Sequence, residues 1–159
     1  MWQLKRFSEL TPNELYDIFY ARIQTFVVDQ NRIYQEVDEQ DKAALHLMDY
    51  ENGRLVAYAR IFTEEKHVTF GRVLSIPEVR GQGYGRLLLE QIMQVLNDHF
   101  SDLPVEIEAQ EQVQGLYTKF GFHAVGDVFL FNHTPHIKMV HEPLATTHAT
   151  QLAAHQGRE

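Results

Sequence analysis

The stretch PEVRGQGYGRLLLEQIM, Pro77 to Met93, sets Gly81, Gly83 and Gly85 within five residues and then runs into a leucine-rich segment. A strand that enters such a turn and leaves it as a helix aims consecutive backbone N–H groups, with the positive end of the helix dipole, at one point. That is an anion site. Glycine suits it because a side chain would block the approach of phosphate oxygens and because such turns often require positive φ. The helix is predicted from about Gln82 to Phe100, with Leu87, Leu88, Ile92, Val95 and Leu96 on or near one face.

Spacing narrows the kind of phosphate loop. The glycines read G-x-G-x-G, and Arg86 stands where a dinucleotide fingerprint places its third glycine. No Gly-Lys-Ser/Thr follows, which excludes a P-loop. No first strand is expected at the N-terminus, so nothing begins a Rossmann fold.

Outward from the turn, HVTFGRVLSI is β-rich and stops at Pro77, and LHLMDYE and RLVAYARIF flank Asn52-Gly53, a strong hairpin signal. Upstream, SELTPNELYDIFYARIQTFVVDQ is a helix with Thr11 as N-cap, Pro12 at the first helical position, and Leu15, Ile18, Phe19, Arg22 and Phe26 on its core face. NRIYQEVDEQDKAA is polar, acidic and irregular: a loop with a short helix, and a candidate specificity loop. Beyond Pro104, VEIEAQ alternates as a strand, EQVQGLYTKFG is a helix stopped by Gly121, and HAVGDVFLFNHTPHIKMV makes two strands around a loop. A strand, crossover helix, strand unit in this order implies one parallel pair inside an otherwise antiparallel sheet. The domain spans residues 1–142, and 143–159 is a tail, frayed or a short surface helix.

A chain of 159 residues with 44% hydrophobic and 23% charged residues suits one ordinary globular domain. It has no cysteine, hence no disulfide or thiolate chemistry, which fits a reducing cytoplasm. MWQLKRFSEL is no signal peptide and no run of 18 apolar residues occurs, so a soluble cytoplasmic protein without membrane attachment is expected. A formal charge of −8 argues against broad nucleic-acid binding and would draw in a cationic partner, with solubility as the plain alternative reading of the acidity. His133, His136 and His141 lack the spacing of familiar zinc sites, and His148 and His155 lie in the tail; no metal is expected.

The pattern that does fit the glycine turn is Arg80-x-x-Gly83-x-Gly85 following Pro77-Glu78, and here the chain resembles the GNAT superfamily of N-acetyltransferases. The resemblance runs from about residue 5 to 141 and takes in the first helix, the Asn52-Gly53 hairpin and LYTKFGF; FVVDQNRIYQEVDEQD, LVAYARIF and PHIKM look like the ElaA-type branch. It implies an α/β (mixed α+β) fold, a single domain with a central mixed, mostly antiparallel sheet, a splayed parallel strand pair and flanking helices. Acetyl-CoA is the implied cosubstrate. Backbone N–H groups of Arg80, Gly81, Gln82, Gly83, Tyr84 and Gly85, with Arg86, would hold its pyrophosphate, and main-chain groups of Val73, Leu74 and Ser75 would meet the pantetheine arm beside a bulge.

The implied chemistry is direct attack of an amine on the thioester without a covalent enzyme intermediate. A strand N–H near Leu74 or Ser75 would stabilise the developing oxyanion, and Tyr117 would be the general acid toward the departing thiolate. By analogy Glu36 and Asp38, Glu108 and His136 lie on the acceptor side, as base or as counter-charge for the ammonium, with ordered water as another route for the proton. Solvated loop carboxylates are the plain alternative for Glu36 and Asp38, and a core tyrosine for Tyr117. The acceptor is a small-molecule or peptide amine, cationic if the acidic loop receives it, and a homodimer is compatible. Two other functions stay open: a non-catalytic acyl-CoA-binding or sensing module, and an interaction module whose turn binds another anion.

Overall fold

The Asn52-Gly53 pair turns as its sequence predicts, with φ 52° and 76°, and the flanking strands β2 (Leu45–Glu51) and β3 (Arg54–Thr63) pair antiparallel. In the computed structural model, which describes residues 1–146, β1 (Trp2–Arg6) precedes them, and β4 (Val68–Ser75), β5 (Val105–Gln110), β6 (His123–Phe131) and β7 (Thr134–His141) follow. They form one seven-stranded sheet in the order β1-β2-β3-β4-β5-β7-β6. Every neighbouring pair is antiparallel except β4 and β5. This is the α+β architecture the sequence implies.

The N-terminal strand corrects the expectation that none lies there. Trp2 through Arg6 pair with Asp49 through Leu45, and Trp2 and Leu4 pack against the core. The terminal amine fastens the strand, donating to Asp49 and Glu51, each at 2.7 Å. Five residues with two apolar positions are weak local evidence; the pairing edge of β2 is what holds them extended.

Helix α1 (Pro12–Ile23) begins at a capping box: Thr11 Oγ1 accepts from the Glu14 N–H at 3.1 Å, and Glu14 Oε1 accepts from the Thr11 N–H at 2.9 Å. It continues into a π-helical turn, Gln24–Val28, which keeps Ile18, Arg22 and Phe26 inward. The acidic loop contains the expected short helix, α2 (Gln40–Ala43). On the other face of the sheet, α3 (Tyr84–His99) buries Leu88, Leu89, Ile92, Val95 and Leu96 against Leu47, Ala59, Ile61 and Ile107. Leu87 lies outside that arc and is 43% exposed, contrary to its expected place on the buried face. Among the described residues no helix is long and apolar enough to cross a membrane.

Helix α4 (Gln114–Lys119) ends as predicted at Gly121, φ 91°, in a Schellman motif: Phe122 N–H donates to Tyr117 O at 3.2 Å and Gly121 N–H to Thr118 O at 3.1 Å. A Cβ at Gly121 would also sit 2.9 Å from His141 Nε2. Gly121→Ala is therefore expected to cost about 1–3 kcal/mol from strain at positive φ, read as a lower urea midpoint. The first residues of the proposed tail are held to the domain: Leu144 packs on the core and Ala145 N–H donates to Ser101 O at 2.9 Å. The rest of that tail, with His148 and His155, lies outside the described residues.

Candidate active site

β4 and β5 register at one pair, Val68 with Val105, where Val68 N–H donates to Pro104 O at 3.0 Å; from there they part. The expected bulge lies in β4, whose register against β3 shifts between Tyr58 and Arg60, with Arg72 at φ 53°. It exchanges the faces of the strand. Val68 and Phe70 enter the α3-side core, whereas Leu74 enters the α1-side core with Ile18 and Tyr58. Ile76 N–H donates to Val56 O at 3.0 Å, so by strand alternation Leu74 also directs its N–H to β3, while Val73 and Ser75 turn their main-chain groups to the gap.

The glycine turn closes one end of this gap. Gly81 and Gly83 have φ 82° and 81°, conformations that a side chain rarely tolerates, and Gly83 is the N-cap of α3. Among the described residues the N–H groups of Gly81, Gly83, Tyr84, Gly85 and Arg86 meet no backbone acceptor, whereas those of Arg80 and Gln82, expected among the donors, are taken by Pro77 O and Val79 O, each at 3.2 Å; within α3 Leu87 is the first to find one, Gly83 O at 3.1 Å. Added Cβ atoms at Gly81 and Gly83 would touch nothing within 4 Å, so the concave face is open. These unfilled donors at a helix N-terminus fit a pyrophosphate. Of the side chains named there, Arg80 lines the cavity, Gln82 donates to Glu78 O, Tyr84 packs on the core, and Arg86 pairs with Glu90 at 3.0 Å.

A cavity of about 930 Å³ extends from Arg80 and Gly85 through the β4–β5 gap to the loop after α1. Tyr117 lines it, buried against Phe70 and Phe122 at ring distances of 5.9 and 6.0 Å. Burial pushes its phenol up to about 12, and among the described residues its hydroxyl has no hydrogen-bond partner. His136 lines the opposite wall between the rings of Phe129 and Phe131. Its Nδ1 lies 2.8 Å from Thr134 O. A carbonyl only accepts, so Nδ1 carries the hydrogen and the neutral ring presents a lone pair at Nε2. Glu108 is exposed on β5, in register with Lys138 of β7, and also lines the cavity. His133 and His141 do not join His136 in a metal centre: among the described residues no three His, Cys, Asp or Glu side chains gather to hold an ion.

The acidic loop is arranged differently from a solvated one. Glu36 is buried and bound by Arg22 Nε at 2.6 Å and Arg72 Nε at 3.1 Å. Asp41 accepts from Arg22 Nη1 at 2.6 Å and Arg60 Nη1 at 3.0 Å, and Asp38 accepts from both Arg60 Nη atoms at 2.6 and 3.0 Å. Burial alone would raise the Asp38 and Asp41 carboxyls, but the arginine bonds and charges outweigh it and hold both below their ordinary value. The loop's carboxylates thus spend their charge inside the protein. The side chains it turns to the cavity include Arg32, Tyr34 and Asp38, the last already bound by Arg60. Sequence inspection missed Arg22, Arg32, Arg60 and Arg72 as a group because they come from α1, the loop, β3 and β4; Arg22 on the apolar stripe of α1 was the available signal.

His46 closes this cluster from below, with Nε2 2.9 Å from Asp41 O and Nδ1 2.7 Å from the Tyr58 hydroxyl. The carbonyl fixes the hydrogen on Nε2, and Nδ1 accepts from Tyr58. Burial lowers its pKa below 6.5. A depressed histidine stabilises the fold above its unfolded pKa and loses that contribution as pH falls. Urea unfolding from pH 8 to 5 is expected to show stability declining below about 6.5, with a smaller decline in His46→Gln; equal declines would contradict it.

The acetyltransferase (GNAT) domain family matches residues 9–143. The chain belongs to the GNAT family. It is 41% identical over 138 residues to a UPF0039 protein of Schizosaccharomyces pombe, covering 85% of this chain and 92% of that one. It is 36% identical over 146 residues to ElaA of Escherichia coli, covering 89% and 95%. A Pseudomonas aeruginosa structure described as an acyl-CoA N-acyltransferase superposes with a TM-score of 0.85 at 39% identity, over 89% of this chain and 98% of that one. The E. coli ElaA structure gives 0.85 at 35%, over 89% and 99%. Membership of the GNAT family makes the β4–β5 gap and the glycine turn the places to look for an acyl-CoA.

Proposed function

We propose that the protein transfers an acetyl group from acetyl-CoA directly to a primary amine of a small molecule or peptide. The observation that carries this is adjacency: the five unfilled N–H groups lie along the glycine turn and the start of α3, from which Arg80 and Gly85 line the same cavity as Val73 and Ser75 on the unpaired edge of β4. Bound acetyl-CoA supplies the activated acyl group. The N–H groups of Gly81, Gly83, Tyr84, Gly85 and Arg86 hold its pyrophosphate, and Val73 and Ser75 offer main-chain bonds to its arm.

Tyr117 holds a proton at its hydroxyl for the departing thiolate, and its high pKa keeps that proton in place until then. His136 Nε2 is the group suited to take the amine's proton, with Glu108 as the counter-charge that draws in the ammonium. Glu36 and Asp38 take no proton in this scheme because arginines occupy their oxygens.

Acetyl-CoA is expected to raise the melting temperature, and thiol release is expected with at least some members of an amine panel. Stabilisation without thiol release is the behaviour of a non-catalytic acyl-CoA-binding module. No stabilisation by acetyl-CoA or CoA would overturn both.

A further inference from the structure

The arginines and carboxylates behind the cavity balance except for one. Arg22, Arg60 and Arg72 answer Glu36, Asp38 and Asp41. Arg32, 6% exposed, makes no ion pair among the described residues: Nε donates to Asn132 O at 3.2 Å, Nη2 to Phe131 O at 3.3 Å and Nη1 to Gln30 Oε1 at 3.3 Å. These acceptors are neutral and engage three of the five guanidinium N–H groups, leaving two. A cation withdrawn from water without a counter-charge is costly, so such an arrangement persists where an anion completes it.

Its neighbour points the same way. The guanidinium carbons of Arg32 and Arg72 lie 4.7 and 5.7 Å from the centroid of the Tyr34 ring, and all three side chains line the cavity. Arg72 is set there by the β4 bulge, and its Nε and Nη2 are bound to Glu36; among the described residues its Nη1 has no partner. Two arginines flanking one ring, each with N–H groups to spare, present the planar donor array that a carboxylate matches.

We infer that the acceptor amine also carries a carboxylate, which Arg32 receives with Arg72 Nη1 as a second donor. The inference rests on the acetyltransferase reading. It reverses the preference expected of the acidic loop, since that loop's Asp38 at the cavity is answered by Arg60 while its Arg32 is left without a counter-charge. The acceptor class is then an amino acid or a short peptide with a free carboxylate, its ammonium directed to the Glu108 and His136 end.

The test compares phenylalanine, phenylalaninamide and phenethylamine, and the same three forms of lysine, at equal free-amine concentration. Turnover is measured with acetyl-CoA, and binding by calorimetry in the presence of CoA. Dipeptides with free or amidated C-termini separate the two sources. The acids are expected to show KM and Kd about ten- to a hundredfold below those of their amides, the range of a charge-assisted bond. Arg32→Gln should remove that preference and Arg32→Lys should retain part of it, with acetyl-CoA binding unchanged. Equal or weaker binding of the acids to the wild-type protein would overturn the inference even if amines are acetylated. Preferential binding of the acids without turnover would uphold the anion site and overturn the acetyltransferase reading instead.

Discussion

Arg22→Met is expected to destabilise the fold by about 3–5 kcal/mol, the largest stability effect of any single substitution argued for this protein. Arg22 is fully buried on α1 and holds both Glu36 and Asp41, themselves withdrawn from water. Methionine fills much of the volume but leaves these carboxylates facing one another with only Arg60 and Arg72 to answer them. The cost is that of stranded charge, not of a lost contact, because the pair's own attraction is largely cancelled by desolvation. Urea denaturation at pH 7 checks the size. Combining Arg22→Met with Glu36→Gln should recover part of the loss, since one stranded charge is then gone. A single-variant loss below about 1 kcal/mol would mean that the cluster behaves as a surface network.

Tyr117→Phe is expected to lower kcat by about 10²–10⁴, the range for removing a positioned general acid, with little change in acetyl-CoA binding. Stability should barely move, because the hydroxyl removed has no hydrogen-bond partner among the described residues. With its phenol pushed up to about 12, Tyr117 stays protonated through the neutral and alkaline range. The wild-type rate should accordingly rise with amine deprotonation and show no descending limb from this group until pH approaches 12. The raised pKa also means that its contribution to stability is complete below the unfolded value of about 10 and lost as pH rises through the folded one. An unchanged kcat in Tyr117→Phe at saturating acetyl-CoA would remove the role and leave a core tyrosine.

Most of the fold was legible because its elements carry local signals. Asn52-Gly53 allows positive φ at both turn positions, Thr11 and Glu14 cap α1 reciprocally, and Gly121 ends α4 where a Cβ would collide with His141. β1 was missed because five residues gain their extended form from β2, an edge that no window on WQLKR contains. Leu87 was misplaced by one step of the helix, the error expected when a face is drawn from a run of three leucines.

The two halves of the candidate site differ in the same way. The donor half depends on backbone geometry, and the positive φ at Gly81 and Gly83 is written into residue type. The acceptor half depends on which charges meet. DQNRIYQEVDEQD reads as an acidic surface, yet its carboxylates are matched by arginines from α1, β3 and β4. By itself the sequence determined the helix and strand order after β1, the open anion turn and the family these imply. Only the tertiary structure decided that Leu74 turns its N–H away from the gap and that the acidic loop brings Arg32 to the cavity wall without a counter-charge. Local conformation follows from neighbours in the chain, whereas net charge at a buried wall is a balance among residues that only folding brings together.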